Sequence, residues 1–315
     1  MMIPTEPIGS IPRPPALVAA LAAALHDPAG RSRLADQIDE AVRATVAEFE
    51  ATGSPVISDG EQAKIENFWS YPVHGAPNTA PDGFRIPLPN GHGQRMPRLV
   101  REHETERRRG LEAGAHKVQI DFAEAHLAMQ LDPGGALLAS FIDLNNLALG
   151  RFSPEERALI GVHMSATGWS DRPSGAIKAA ASMAGYAELL PAVLELRAGN
   201  FYLALAGSSE PERILRTVRE HARADQRIFV GVTDPHDPRI ETPELVRDRI
   251  LRAAEFIAPE RLGTTDDAGF APFFDDASIS RATAFAKIRA RVEGTRLACA
   301  ILAPATTEAA AGGTA

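Results

Sequence analysis

The 315-residue chain holds a single cysteine, Cys299. One thiol excludes an internal disulfide, and it excludes any metal site built from several thiolates of one chain. Long apolar runs are also missing: no stretch approaches the roughly 20 residues that cross a bilayer, so no membrane association is expected. The N-terminal MMIPTEPIGS has no basic region followed by an apolar core, which argues against a secretory leader and for a cytoplasmic location. Positive charge is in short supply. The formal net charge of −8 argues against a nucleic-acid partner, because a phosphate backbone demands a cationic face. Arg101, Arg107, Arg108 and Arg109 do cluster, but Glu102, Glu104, Glu106 and Glu112 are interleaved with them, the pattern of a solvated helix face.

What is present is ordinary globular composition, 44% apolar and 23% charged, arranged as short β-branched runs alternating with longer helical ones. That alternation predicts parallel strands joined by crossover helices, an α/β fold. The strand candidates are Pro7 to Ile11, Val56 to Asp59, Lys117 to Phe122, Leu159 to His163, Phe201 to Ala206, Ile228 to Thr233 and Arg261 to Thr265. Amphipathic spacing predicts helices over Ser32 to Glu50, Leu99 to Ala113, Ala176 to Leu196, Pro211 to His221, Thr242 to Phe256 and Ser280 to Ala300. Phe84 to Leu88 and Arg95 to Val100, flanking Pro89-Asn90-Gly91-His92-Gly93, read as a β-hairpin outside the main sheet. No linker interrupts the pattern, so residues 1–302 form one expected domain; the Ala, Thr and Gly of 303–315 form an expected disordered tail.

Polar residues gather where the strand candidates end: Gly9 and Ser10, then Asp59, Gly60 and Glu61, then Asp121, then His163 and Ser165, then Asp234 and His236, then Asp266 and Asp267. In parallel α/β folds the carboxyl ends of the strands carry the chemistry, because the loops there converge on one opening. Each also has a structural reading: Asp59 and Asp121 as helix caps, Asp266 as a brace for the Gly269 turn, Asp275 and Asp276 as acids ahead of a helix. The histidines at 26, 92, 103, 116, 126 and 221 read as surface residues, and Asn145 and Asn146 as belonging to a turn or helix start. In "GVHMSATG" (161–168), His163 and Ser165 share one face of an extended chain, which leaves open a metal site, a nucleophile with its base, or the polar lip of a buried sheet.

"PTEPIGSIPRP" (4–14), "ISDGEQAK" (57–64), "VQIDFAEAHLA" (118–128) and "LGTTDDAGFAPFFDDASISRATAFAKIRARVEGT" (262–295) resemble the catalytic domain of cobalamin-independent methionine synthases, and more closely the short single-domain bacterial proteins of that family. The resemblance implies a (β/α)8 TIM-barrel-like fold. Relatives carry one more strand-helix unit before Lys117, so here that unit is missing or a segment such as Arg95 to Val100 replaces it. The family moves a methyl group from a folate to a thiol held on zinc by a His, two Cys and a Glu. His163 matches the first ligand, but Ser165 and Ala268 stand at the two Cys positions, and the Glu position falls near Leu205 with only Glu210 close by. A serine hydroxyl is a poor zinc ligand and alanine is none, so metal: none is expected, with zinc bound only if Ser165 and Ala268 are compensated.

The resemblance further implies that Ile8, Gly9 and Ser10 offer donors to a carboxylate and that Glu61 and Asp121 receive an ammonium group, with Asp266 also on the substrate side. "TDPHDP" (233–238) puts Asp234 and His236 where a proton donor is expected, and His163, His236 and Asp234 are the candidate catalytic groups. The functional expectation is a methyltransferase-like protein with a degenerate zinc site, acting on a small amino-acid-like, thiol or carboxylate substrate by methyl or alkyl transfer or by metal-independent acid-base chemistry. The alternative is a non-catalytic ligand-binding or interaction protein on the same barrel.

Overall fold

The fold comes from a computed structural model that describes residues 2–24, 31–64, 79–80, 85–87, 93–95, 98–99, 110–165, 185–273 and 276–303. Helices α1 (Pro15–Ala24) and α2 (Arg31–Glu50) open the chain. Four short strands follow: β1 (Thr79–Ala80), β2 (Arg85–Pro87), β3 (Gly93–Arg95) and β4 (Arg98–Leu99). Strands β2 and β3 pair antiparallel, Arg85 opposite Arg95, and β1 pairs antiparallel with β4. A hairpin is therefore present with its first arm as expected, while its second arm begins at Gly93, inside the expected turn, and shares only Arg95 with the expected Arg95 to Val100. It also answers where Arg95 to Val100 goes: Arg98 and Leu99 pair with Ala80 and Thr79 and take no place in the parallel sheet.

That sheet is built from β5 (Val118–Asp121), β6 (Ile160–Met164), β7 (Asn200–Leu203), β8 (Arg227–Thr233) and β9 (Leu262–Asp266), parallel and in sequential order. Helices fill the crossovers: α3 (Glu124–Leu131), α4 (Ala136–Leu149) and α5 (Pro154–Arg157) after β5, α6 (Tyr186–Val193) after β6, α7 (Pro211–His221) after β7, α8 (Pro243–Ala254) after β8, and α9 (Arg281–Leu302) after β9. The starts of α8 and α9 follow from their caps. Thr242 and Ser280 accept hydrogen bonds from the backbone N–H of Leu245 and Thr283, groups that have no partner inside the first helical turn.

Five of the seven expected strands are thus found, within a residue or three of their expected ends, and two are not. Pro7 to Ile11 is irregular, and the N-terminal segment touches the sheet only through Thr5, which bridges Thr264, and through the flanking bonds of Pro4 and Glu6. Gly9 has φ 140° and Ile11 donates to Gly60 O, so this stretch spends its hydrogen bonds on loops. Val56 to Asp59 fails for a different reason: Ser58 Oγ and Asp59 Oδ1 accept from the N–H groups of Gly60 and Glu61, and such local bonds compete with a ladder. Of the expected helices, Leu99 lies in β4, residues 100–109 and 176–184 fall outside the described residues, and 110–112 are helical. Helices α1, α3, α4 and α5 were not anticipated.

Alternation along the strands sorts the sheet into two faces. One carries Ile160, Val162 and Met164, Phe201 and Leu203, Ile228, Val230 and Val232, and Leu262, all buried against the helices through residues such as Leu190, Leu215, Ile250 and Ala298. The other carries Gln119 and Asp121, His163, Tyr202 and Phe229. Room for its aromatics is made by glycine. A Cβ on Gly161 would lie 2.4 Å from Tyr202 Cε2, and one on Gly263 would lie 2.4 Å from Phe229 Cδ1, while the two rings stack with centroids 4.5 Å apart. Low on this face a buried Glu6 accepts from Lys117 Nζ at 2.7 Å and from the Tyr202 hydroxyl. Burial and the Glu6 carboxylate push the Tyr202 phenol far up, so it serves as a donor. Among the described residues no helix is long and apolar enough to cross a membrane. The tail from 304 lies outside them.

Candidate functional site

The carboxyl ends of β5 to β9 form one edge, and the expected polar residues of those strands lie along it. Asp121 ends β5 and sits directly opposite His163 in register. Asp121 Oδ1 is 3.3 Å from His163 Nδ1, and the other ring nitrogen, Nε2, lies 3.2 Å from Asp267 O. A carbonyl only accepts, so Nε2 carries a proton. With a carboxylate beside Nδ1 the arrangement favours the imidazolium. Burial alone would push this imidazole down, but the Asp121 carboxylate and the Asp267 carbonyl outweigh it and hold His163 above its ordinary value. The Asp121 contact is an ion pair poorly aligned for a hydrogen bond, since its Oδ1 has no hydrogen-bond partner among the described residues. His163 is buried, whereas the Asp121 side chain keeps 23% of its exposure and is the member of the pair that faces outward.

Asp267 ties the neighbouring ends together. Its Oδ1 accepts from Leu205 N at 2.8 Å and Ala206 N at 2.9 Å, its Oδ2 from Gly207 N at 2.7 Å, and its own N donates to Thr233 O. Burial and the nearby Asp234 carboxylate prevail over those three donors and push its carboxyl up to about 7. Asp266, one residue earlier, points the opposite way. It accepts from Thr233 Oγ1 at 2.7 Å and pairs with the buried Arg291 of α9, whose Nε is 3.1 Å away. The structure therefore places Asp266 on the helix side of the sheet and Asp267 on the polar side.

A second group of expected residues converges from the N-terminal segment and the 58–64 loop. Ser10 accepts at its O from Phe270 N and at Oγ from Ala271 N, Ser58 Oγ donates to Gly9 O, and Glu61 Oε1 comes within 3.7 Å of where a Gly9 Cβ would be. Glu61 has φ 53°, among the described residues the one non-glycine in the left-handed region, and its carbonyl accepts from the buried Arg13. Strain of this kind costs about 1 kcal/mol or more and persists where surroundings enforce it. Lys64 Nζ, fully buried, donates to Glu61 Oε2 at 3.0 Å and to Ala271 O. Burial pushes the Lys64 amine down, and Glu61 counters it. Glu61 thus already holds an ammonium group supplied by the chain. Ile8 is half-buried beside this cluster.

Asp234 and His236 belong to the loop after β8. Asp234 Oδ1 accepts from His236 N at 2.9 Å, and Asp234 N donates to Glu241 Oε1 at 2.8 Å, so the pair is held through the backbone rather than side chain to side chain. Glu241 is itself buried against Lys287 Nζ at 2.7 Å. Asp234 and Asp267 meet across Gly207, where a Cβ would fall 3.0 Å from Asp234 Oδ2 and 3.5 Å from Asp267 Oδ2.

No family model matches the chain. A stretch of 73 residues, 23% of the chain, is 36% identical to the methionine synthase of Saccharolobus islandicus (strain Y.G.57.14 / Yellowstone #1), and the match spans 20% of that protein. Among solved structures, the B12-independent methionine synthase from Shewanella sp. W3-18-1 in complex with selenomethionine superimposes with a TM-score of 0.62 at 14% identity, covering 96% of this chain and 99% of that one. The putative vitamin-B12 independent methionine synthase from Listeria monocytogenes gives 0.50 at 12% identity, covering 94% and 98%. The chain resembles the B12-independent methionine synthases.

Against the zinc site that this methionine-synthase resemblance implies, the residues present fit poorly. His163 has both nitrogens engaged within the protein, Ser165 and Ala268 bring no sulfur, and Glu210 is exposed with its carboxylate toward Arg213. Among the described residues no group of three or more His, Cys, Asp or Glu is arranged to hold a metal ion. Ser165 instead offers its carbonyl to His126 Nε2 at 3.1 Å. That histidine, expected at the surface, is buried; desolvation pushes it down, and it lies stacked near Tyr186. The Tyr186 hydroxyl donates to Met164 O and accepts from Ala204 N, joining the ends of β6 and β7. Asn145 and Asn146, expected at a turn or helix start, lie well inside α4, and Asn146 braces residues 195 and 197. Tyr186 and His126 escape sequence reasoning because each acts through backbone groups distant in sequence, and Glu241 because its partners, Asp234 N and Lys287 Nζ, meet it only in the fold; Asp267 carried a signal as half of the doubled acid at 266–267, whose side chains alternation sends in opposite directions.

Proposed function

We propose that this chain is a barrel-type relative of the methionine synthases that acts without zinc on a small amino-acid-like molecule, a thiol or carboxylate compound, through acid-base groups at the strand ends. The observation that carries the reading is the pairing of His163 with Asp121 and with Asp267 O, at the position where the family would place a metal ligand. A buried imidazolium against Asp121 Oδ1, in a carboxylate that is partly exposed, is suited to holding or moving a proton at the other Asp121 oxygen. Gly9 and Ser10 form the wall where a substrate carboxylate would dock, and His236, half-buried on the next loop, is the second candidate proton donor. The parallel sheet, with its polar face inward, is the part of the barrel that carries these groups.

The test has two arms. Elemental analysis of the purified protein is expected to find no stoichiometric zinc; zinc bound one per chain through these side chains would sink the reading. Thermal-shift measurements with methionine, homocysteine and simple carboxylates are expected to identify a stabilising ligand, and His163→Asn and Asp121→Asn are expected to abolish its turnover.

A second reading is a ligand-binding protein that performs no chemistry. It is favoured by one detail: both His163 nitrogens are spent inside the protein, which leaves neither for a substrate. A ligand bound tightly but never converted distinguishes it.

A further inference from the structure

Asp267 joins the ends of four strands through its own atoms. Its carboxylate gathers three consecutive N–H groups after β7, its N–H reaches Thr233 at the end of β8, its carbonyl receives His163 of β6, and the residue itself continues β9. Space has been left for it. A Cβ on Gly231 would sit 1.8 Å from Asp267 Oδ1, so any side chain there would drive the carboxylate out of its seat. The pairing of β8 with β9 shifts register between Gly231 and Thr233, beside this seat, and the ladder itself uses no atom of the Asp267 side chain.

We propose that Asp267 is the positioning residue of the site. Its carboxylate, clasped by the 205–207 loop, fixes the height of its own carbonyl, and that carbonyl holds the His163 ring with Nδ1 turned to Asp121. This deepens the acid-base reading and rests on it for its purpose, while the alignment itself is a property of the ligand-free protein.

The experiment reads the His163 imidazole by ¹H–¹⁵N nuclear magnetic resonance on the full chain, with no ligand added. Wild-type protein is expected to show a hydrogen-bonded, slowly exchanging Nε2 proton. Asp267→Asn keeps an acceptor for Leu205 and Ala206 but turns a donor or a poorer acceptor toward Gly207 N, and the Nε2 signal is expected to be lost or displaced. Gly231→Ala, whose Cβ would sit 1.8 Å from Asp267 Oδ1 and so drives the carboxylate from its seat while retaining it, is expected to displace the signal in a protein whose charges are unchanged, and decides the matter if Asp267→Asn does not fold. Thr233→Val removes the bond to Asp266 on the same strand end and is expected to leave the signal in place. An unchanged Nε2 proton in folded Asp267→Asn, or in Gly231→Ala where only that variant folds, overturns the proposal. So does an equal displacement in Thr233→Val, which would mean general loosening. Because no substrate is present, a protein that turns over nothing would defeat the acid-base reading and leave this alignment standing.

Discussion

Burial of Asp267 makes the stability of this protein fall as the pH rises toward neutrality. Its carboxyl is pushed from an ordinary 3.8 up to about 7, so between those values the native state holds a proton that the unfolded chain has released. Stability is then fully present below the unfolded value and is lost as pH climbs through the native one, the reverse of the usual salt-bridged acid. A displacement of about 3 units, at about 1.4 kcal/mol each, amounts to ~4 kcal/mol over the whole window and ~3 kcal/mol between about pH 5 and about pH 8. The assay is urea unfolding across that range for wild type and Asp267→Asn, whose amide does not titrate. His163 is also held above its ordinary value and contributes with the same sign, so both proteins are best compared in a His163→Asn background. The stability difference between acid and amide should shrink, or turn against the acid, by about 3 kcal/mol on going to the higher pH. A difference that stays flat, or that grows in favour of the acid, would refute the argument, because it would mean that the three N–H donors and not burial govern this carboxyl.

Asp266→Asn strands the Arg291 guanidinium, buried between β9 and α9, without its counter-charge, and unfolding measurements should register a loss of roughly 3–5 kcal/mol. Gly161→Ala puts a methyl 2.4 Å from a Tyr202 ring that is already stacked on Phe229; overpacking of about 1–3 kcal/mol is expected in the same assay, with little effect from Gly114→Ala, whose Cβ would meet no atom within 4 Å, beyond its left-handed backbone. Thr242→Ala removes the N-cap of α8 and should cost about 1 kcal/mol, restored by Thr242→Ser.

Much of the fold was legible because burial on one face writes alternation into a strand. Ile160-Gly161-Val162-His163-Met164 reads as apolar, open, apolar, polar, apolar, and the structure puts those residues on the faces that the pattern assigns. The helix starts at Thr242 and Ser280 were legible for the same local reason. Pro7 to Ile11 and Val56 to Asp59 have strand-like composition, but the first spends its hydrogen bonds on loops far away in sequence, and in the second the Ser58 and Asp59 side chains accept from N–H groups two residues on. The apolar helices α3 and α4 lack strong one-sidedness and were passed over. At the site, the convergence of acids and histidines on one edge was readable, and Asp121 with His163 is its clearest product. Which of two adjacent aspartates faces the opening was not readable from composition, although alternation guarantees that only one can.

The pairing of His163 also bears on why sulfur and metal would be lost together. A zinc ion binds an imidazole lone pair, so the metal competes with a proton at the nitrogen it takes, while an acceptor at the other nitrogen suits either state. In this site Asp121 and the Asp267 carbonyl both favour the protonated ring, and they outweigh a burial that would otherwise favour the neutral one. Ser165 and Ala268 remove the thiolates whose negative charge would balance a dication. A buried edge that carried both a bare His163 and two missing ligands would leave an imidazole without a partner. Held between a carboxylate and a carbonyl, His163 has a use for both nitrogens within the protein, and on the proposed reading the partly exposed Asp121 is the member of the pair that would meet a substrate.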